Sequence, residues 1–354
     1  MTEQHTLERL REFMLGPTRF MNLLTAFELG IVDALGDGRR MTAAQLAEVA
    51  GASPDAVEQL LHLLVKEDFV SYEAASLTYS RGGLDAVPEE DLQRVLAIMR
   101  MIKTVVLRQS FHLTESVRVG APVGLKTLYG HEGNLYEALA EHRDLRETWG
   151  TMMDTVTAHI DPWFFENIEV PAGARVLDLA GNTGLGAILA YELKRSPGLH
   201  VTTFDLPEKE TECLQNFKAR GVDAHCSFIG GDVFRSVPEG FDVVLIKHFL
   251  DMFDKKEVFR ILRNTYDALD VGGQVHILGP VYAEDLKTSY AVDFFPTYFL
   301  GCTMGQGGPQ KLSTYREWLG ECGFTVTKAI AQDLAEMPAD ALVAHGILCA
   351  TKTA

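Results

Sequence analysis

"VLDLAGNTGLG", residues 176–186, decides the fold. Val176, Leu177 and Leu179 make a short apolar run around Asp178, and the run stops at Gly181, Gly184 and Gly186. "AILAYEL" then reads as a helix, and "HVTTFDLPE" as a second strand ending in Asp205, 21 residues past Gly184. Strand, glycine turn, helix, strand is the opening of a parallel α/β sheet. A bare glycine turn lets a ligand approach the backbone, and an acid at that distance is placed to hold ribose hydroxyls.

The turn reads A-G-N-T-G and lacks the glycine spacing of a pyrophosphate site. Asp178 at the strand end would repel a pyrophosphate as well. An acidic strand end suits a cationic, phosphate-free nucleoside. S-adenosyl-L-methionine carries an amino group and a sulfonium, and it fits. Asp232, in "GGDVF", follows the next short strand.

Farther along, "GFDVVLIKH" reads as a strand, "KEVFRILRNTYDAL" as a helix, and "DVGGQVHILGPV" as a turn and a strand. Toward the N-terminus the texture is helical. Residues 7 to about 35 have helical apolar spacing. Thr42 caps a short helix that Gly51 ends, and Ser53-Pro54 starts another. "FVSYEAASLTYS" reads as a hairpin. Helix, turn, helix, wing is a winged-helix pattern. Residues 1–100 nevertheless hold 9 Lys and Arg against 16 Asp and Glu, a balance of −7. A DNA-binding regulator is disfavoured, since nucleic acid demands clustered cations, and an apolar dimerisation module is the better reading. The net charge of −17 argues against nucleic acid and anionic lipid for the whole chain. No apolar run reaches membrane-spanning length and the N-terminus lacks a signal-peptide core, so a cytoplasmic protein is expected. The five scattered cysteines read as reduced core thiols.

With these pieces in order, the chain resembles the dimeric O-methyltransferases of plant phenylpropanoid and bacterial natural-product pathways, class I S-adenosylmethionine-dependent enzymes. "FDLPE" (204–208), "GDVF" (231–234), "ILRNTYDAL" (261–269) and "GGQVHIL" (272–278) carry the resemblance, which covers nearly the whole chain. It implies an α/β fold: an N-terminal all-α winged-helix-like dimerisation domain (1–100), a helical linker (101–165) and a C-terminal Rossmann-like methyltransferase domain (166–354). It implies a homodimer acting on a small molecule. Gly181 and Gly184 would line the cofactor's methionine end, with Asp178 at the strand end. Asp205 would bind the ribose with Leu206 beside it at the cofactor, Asp232 and Val233 would sit by the adenine, and Lys247 takes the family's lysine position at the cofactor. Met152 matches a methionine that packs on the substrate ring. Tyr290, Phe294, Tyr298 and Met304 lie in the segment that walls the acceptor pocket.

The family's general-base histidine comes four residues after the lysine, and here that position is Asp251. Gly279 stands where an orienting acid is expected, and "GQGGPQKLSTY" brings no second acid. Moving a proton from a phenol of pKa about 10 to a histidine costs roughly 5 kcal/mol, and to an ordinary aspartate roughly 8. Asp251 therefore serves as a base only if burial raises its pKa, for which Phe249, Met252 and Phe253 offer an apolar setting. His248 is the other candidate base. Three readings stay open: methyl transfer, at oxygen or possibly at carbon, with Asp251 as a tuned base or orienting group for a hydroxyl, enol or ring carbon; an acceptor that needs little deprotonation, such as an acidic enol or an amine; or a cofactor-binding enzyme, decarboxylase-, hydroxylase- or pericyclase-like, that has lost methyl transfer. Asp251 as a plain helix cap is compatible with each. A metal site on His248, Asp251 and His276 has no support in the spacing, and no metal is expected.

Overall fold

The computed structural model describes residues 3–333, 335, 337 and 341–353. The chain divides into two compact units, Met1–Arg100 and Met101–Ala354.

In the first unit the helix Glu3–Glu28 is followed by the short helix Ile31–Ala34. One continuous helix was the expectation for this stretch. Gly30, left-handed at φ 68°, breaks it. Strand β1 (Met41–Thr42) leads into the helix Ala43–Ala50. Thr42 and Gln45 form a reciprocal capping box there, and Gly51 closes the helix at φ 62°. Ser53 caps the helix Pro54–Lys66. Strands β2 (Val70–Glu73) and β3 (Thr78–Arg81) pair antiparallel, and β1 joins β3. Leu24, Ile31, Leu46, Leu61 and Leu64 fill the core of this unit. Leu7, Leu10, Phe13 and Met14 of the long helix remain exposed.

The second unit opens with helices, among them Leu135–Glu141 and Arg143–Asn167. The sheet follows: β4 (Arg175–Leu179), β5 (His200–Asp205), β6 (Cys226–Gly230), β7 (Val243–Lys247), β8 (Gln274–Tyr282), β9 (Gln310–Lys311), β10 (Phe324–Ala331) and β11 (His345–Lys352). Among the described residues its order is β10-β11-β8-β7-β4-β5-β6, with β9 beside the end of β8. Strands β4 to β8 pair parallel, which their buried apolar runs anticipate. The antiparallel pair β10 and β11 was not read from the sequence. Two apolar cores cover the two faces of the sheet, one around Ile246, Leu262 and Trp318, the other around Phe164, Phe217 and Leu245. All five cysteines are buried and unpaired, and burial pushes the thiols of Cys213, Cys226 and Cys302 up to about 12. Among the described residues no helix is long and apolar enough to cross a membrane.

Candidate active site

The strand order reverses between β4 and β7: the chain runs outward from β4 through β5 to β6, then returns to place β7 on the other side. Crevices at the carboxyl ends of such strands bind ligands. The glycine turn leaves β4 at this point. Ala180 (φ 56°), Asn182 (φ 51°) and Gly184 (φ 85°) are all left-handed. Ala180 and Asn182 thus keep the backbone that glycine normally provides, and for a non-glycine residue this costs roughly 1–2 kcal/mol. The turn is held from below. Ala180 N–H donates to the Phe204 carbonyl at 2.8 Å, and Asn182 N–H to Asp205 Oδ2 at 2.8 Å. A Cβ at Gly181 would lie 2.5 Å from Asp178 Oδ2, and one at Gly184 2.6 Å from Cys213 Sγ and Phe217 Cε1. Neither position tolerates a side chain.

Asp178 is 1% exposed, and its Oδ2 has no hydrogen-bond partner. Burial raises its pKa to about 6, against the pull of Lys247, whose Nζ lies 3.9 Å from Oδ1. Lys247 sits closer to a residue the sequence reading missed. Its Nζ is 2.6 Å from Asp161 Oδ2 on the helix Arg143–Asn167. Burial disfavours the Lys247 cation, but the two carboxylates outweigh it and hold its pKa above the usual value. The Lys247 ammonium thus reaches the cofactor side of the sheet already engaged in a buried ion pair with Asp161. The sequence signal for Asp161 was a lone acid in the apolar run "HIDPWFF", where an unpaired charge would be costly. An unpartnered carboxylate oxygen beneath a turn that is bare at Gly181 and Gly184 fits a cationic ligand such as S-adenosylmethionine.

Asp205 accepts Leu206 N–H at 2.7 Å as well as the Asn182 N–H, so it orients the turn it faces. Gly231 N–H donates to the Asp205 carbonyl at 2.9 Å and brings the loop of Asp232 alongside. Asp232 accepts Phe234 N–H at 2.9 Å. Val233 is buried, and its carbonyl accepts Asn264 Nδ2 at 2.6 Å. Leu206 is exposed at the rim.

Asp251 lies on the turn Leu250–Met252 after β7 and is 8% exposed. Burial pushes its carboxyl up to about 7. Gly308 N–H donates to the Asp251 carbonyl at 2.7 Å, which seats the acid-free 305–308 turn directly on it. A cavity of about 10 Å³ lies beside the residue, lined by Leu250, Asp251, Leu278, Gly279 and Tyr315. A Cβ at Gly279 would meet nothing within 4 Å, so the expected place of an orienting acid is open space. The phenols of Tyr136 and Tyr298 are pushed up first by burial, with the Asp251 charge adding to it. Trp149 Nε1 donates to Tyr298 Oη at 3.0 Å, and Phe294 stacks on Tyr298 at 5.2 Å. Met152, on the same helix as Trp149, is buried. Met304 packs on the core that contains Leu250 and Phe253.

Two expected residues fall elsewhere. Tyr290 is 52% exposed: Phe294, Phe295, Tyr298 and Phe299 stack on one another and leave it at the surface. His248, left-handed at φ 48°, packs edge-on to His345 at 5.1 Å and does not line the Asp251 cavity. Burial holds its pKa well below the usual value, with His345 and Lys247 adding to the effect, so the ring stays neutral. Among the described residues no group of His, Cys, Asp and Glu side chains could hold a metal. His276 Nε2 lies 3.1 Å from the Glu169 carbonyl and from Gln274 Oε1.

Known proteins share the two parts of this chain. The family model of the O-methyltransferase domain matches residues 111–325, and that of the O-methyltransferase dimerisation domain matches residues 12–82. A 3-amino-4-hydroxybenzoate 4-O-methyltransferase of Streptomyces cremeus is 30% identical over 321 residues, covering 89% of this chain and 84% of the relative. The solved structure of the mitomycin 7-O-methyltransferase MmcR superposes with a TM-score of 0.79 at 23% identity, covering 98% of each chain. Human N-acetylserotonin methyltransferase, solved in complex with S-adenosylmethionine, also gives 0.79, at 20% identity over 100% of this chain and 99% of that one. The chain belongs to the S-adenosylmethionine-dependent O-methyltransferases, with the family's methyltransferase and dimerisation domains both present.

Proposed function

We propose that the protein methylates the hydroxyl of a small phenol or enol, with Asp251 as the base. Bound S-adenosylmethionine supplies an electrophilic methyl group on a cationic sulfur. Gly181 and Gly184, with Asp178 beneath, would hold its methionine end. Asp205 and Leu206 would hold the ribose, and Asp232 and Val233 the adenine.

The observation that carries the reading is the buried carboxyl of Asp251, with its pKa near 7. Taking a proton from a phenol of pKa about 10 then costs about 4 kcal/mol, no more than with a free histidine. Burial thus offsets the substitution of aspartate for the family's histidine. Asp251 would take the proton of the acceptor hydroxyl on a carboxylate oxygen, freeing the acceptor oxygen to receive the methyl group from the sulfonium, with S-adenosylhomocysteine as the departing thioether. The chain's larger contribution is positioning, since reacting atoms must come to about 3–3.5 Å. Met152, Phe294, Tyr298 and Met304 would frame the ring. The phenolic acceptor named for the Streptomyces cremeus relative supports this class. An acceptor carboxylate fits less well, because Asp251 would repel it.

The exposed Leu7, Leu10, Phe13 and Met14 in a chain with the dimerisation domain support a homodimer, and the bacterial biosynthetic relatives support a cytoplasmic enzyme. Light scattering in solution tests the dimer. Incubating the protein with labelled S-adenosylmethionine and a panel of phenols, enols and benzoates tests the reaction. Methyl ethers of phenols or enols are expected, and methyl esters alone would overturn the reading.

A further inference from the structure

Asp161, Lys247 and Asp178 form a buried row, 0%, 8% and 1% exposed at their side chains. The ammonium is not centred between the carboxylates. It lies 2.6 Å from Asp161 and 3.9 Å from Asp178. Asp161 Oδ1 and Asp178 Oδ2 both lack hydrogen-bond partners. Two carboxylates and one ammonium leave one negative charge, and the lopsided geometry places it on Asp178, whose free oxygen lies against Gly181. Charges this deeply buried are weakly screened, so their sum is felt across a neighbouring binding site.

The methyl donor and its product have nearly the same shape and differ by one positive charge. S-adenosylmethionine carries a sulfonium, and S-adenosylhomocysteine a neutral thioether. We propose that Asp161 is a positioning residue that acts through Lys247: by taking up the ammonium it leaves Asp178 anionic under the glycine turn, and so makes the site prefer the cationic donor over the neutral product. The proposal rests on the cofactor assignment of the family. In this arrangement Asp161 touches no ligand. Without it, Lys247 has Asp178 as its remaining anionic partner and the row becomes neutral. The same preference would loosen the product as soon as the methyl group has left.

The test is calorimetric binding of S-adenosylmethionine and S-adenosylhomocysteine to the full chain at pH 8, without acceptor. For Asp161→Asn the affinity ratio of donor to product is expected to fall at least threefold. A residue that only supports the fold would weaken both ligands alike and leave the ratio unchanged, and that result would overturn the proposal. Asp161→Ser serves if Asp161→Asn does not fold. Its ratio is expected to fall as well, and an unchanged or higher ratio overturns the proposal. Wild-type protein that binds neither ligand would refute the cofactor assignment instead, so the two failures are distinguishable.

Discussion

Trp149 donates its indole N–H to the hydroxyl of Tyr298 at 3.0 Å, across 149 positions of sequence. The bond ties the helix Arg143–Asn167 to the aromatic segment at 294–299, and so couples the two walls proposed for the acceptor pocket. Removing the donor leaves a buried phenol oxygen with one partner fewer, at a cost of roughly 1–2 kcal/mol. Trp149→Phe is expected to raise KM for the acceptor severalfold while calorimetric affinity for S-adenosylhomocysteine stays within twofold. A loss of cofactor affinity equal to the loss of acceptor affinity would contradict this division of labour.

The Asp251 carboxyl makes two coupled predictions. As a base it must be ionised, so kcat/KM is expected to rise with pH and level off above about 7. Asp251→Asn should remove that limb and most of the turnover while leaving cofactor affinity intact. Stability runs in the opposite direction. The folded pKa lies above the unfolded value of about 3.9, so the native state holds the extra proton between these pH values and loses stability as pH rises through the window. The penalty above pH 7 is of order 4 kcal/mol. Asp251→Asn is therefore expected to melt higher than wild type at pH 8 and to show little gain near pH 4. Equal melting temperatures at pH 8 would mean that the carboxyl is not tuned.

Gly184 is left-handed at φ 85°, with Cys213 and Phe217 against its missing side chain. Gly184→Ala combines backbone strain with overpacking, together about 2–4 kcal/mol. Urea unfolding of the variant should show a midpoint lowered to match. An unchanged midpoint would mean that the turn relaxes freely.

Asp205 has a second duty besides its proposed contact with ribose, because it fixes Asn182 and Leu206 through their N–H groups. Asp205→Ala should weaken S-adenosylhomocysteine binding at least tenfold by calorimetry. Asp205→Asn, which keeps one acceptor oxygen, should recover part of the loss. If Asn does no better than Ala, orienting the turn is not part of the role.

The parts legible in the sequence were those with local causes. Thr42, Gly51 and Ser53 mark helix ends through hydrogen bonds within a few residues, and the glycine turn announces itself by composition. Asp178, Asp205 and Asp251 stand out in sequence because each lies at or just past the end of a strand, where α/β sheets gather ligands. Asp161 was missed as a partner because its meaning comes from Lys247, 86 residues later, and a helix pattern does not say which strand end it will face. The surface position of Tyr290 was not legible either, because it follows from its neighbours stacking on one another. His248 looked available in sequence, but its left-handed backbone and its contact with His345 turn it to a different neighbour.

The five sealed cysteines bear on how the protein would be followed in solution. With thiols held at about 12 in Cys213, Cys226 and Cys302, the reactive thiolate is almost unpopulated in the native state. An alkylating reagent at neutral pH would react as the chain opens, at a rate that records the opening. Cys213 lies against the glycine turn and Cys302 in the turn Phe299–Thr303 that ends the aromatic segment, so mass spectrometry of the labelled peptides would time the breathing of the cofactor side and of the acceptor side separately, in one tube and without engineered probes.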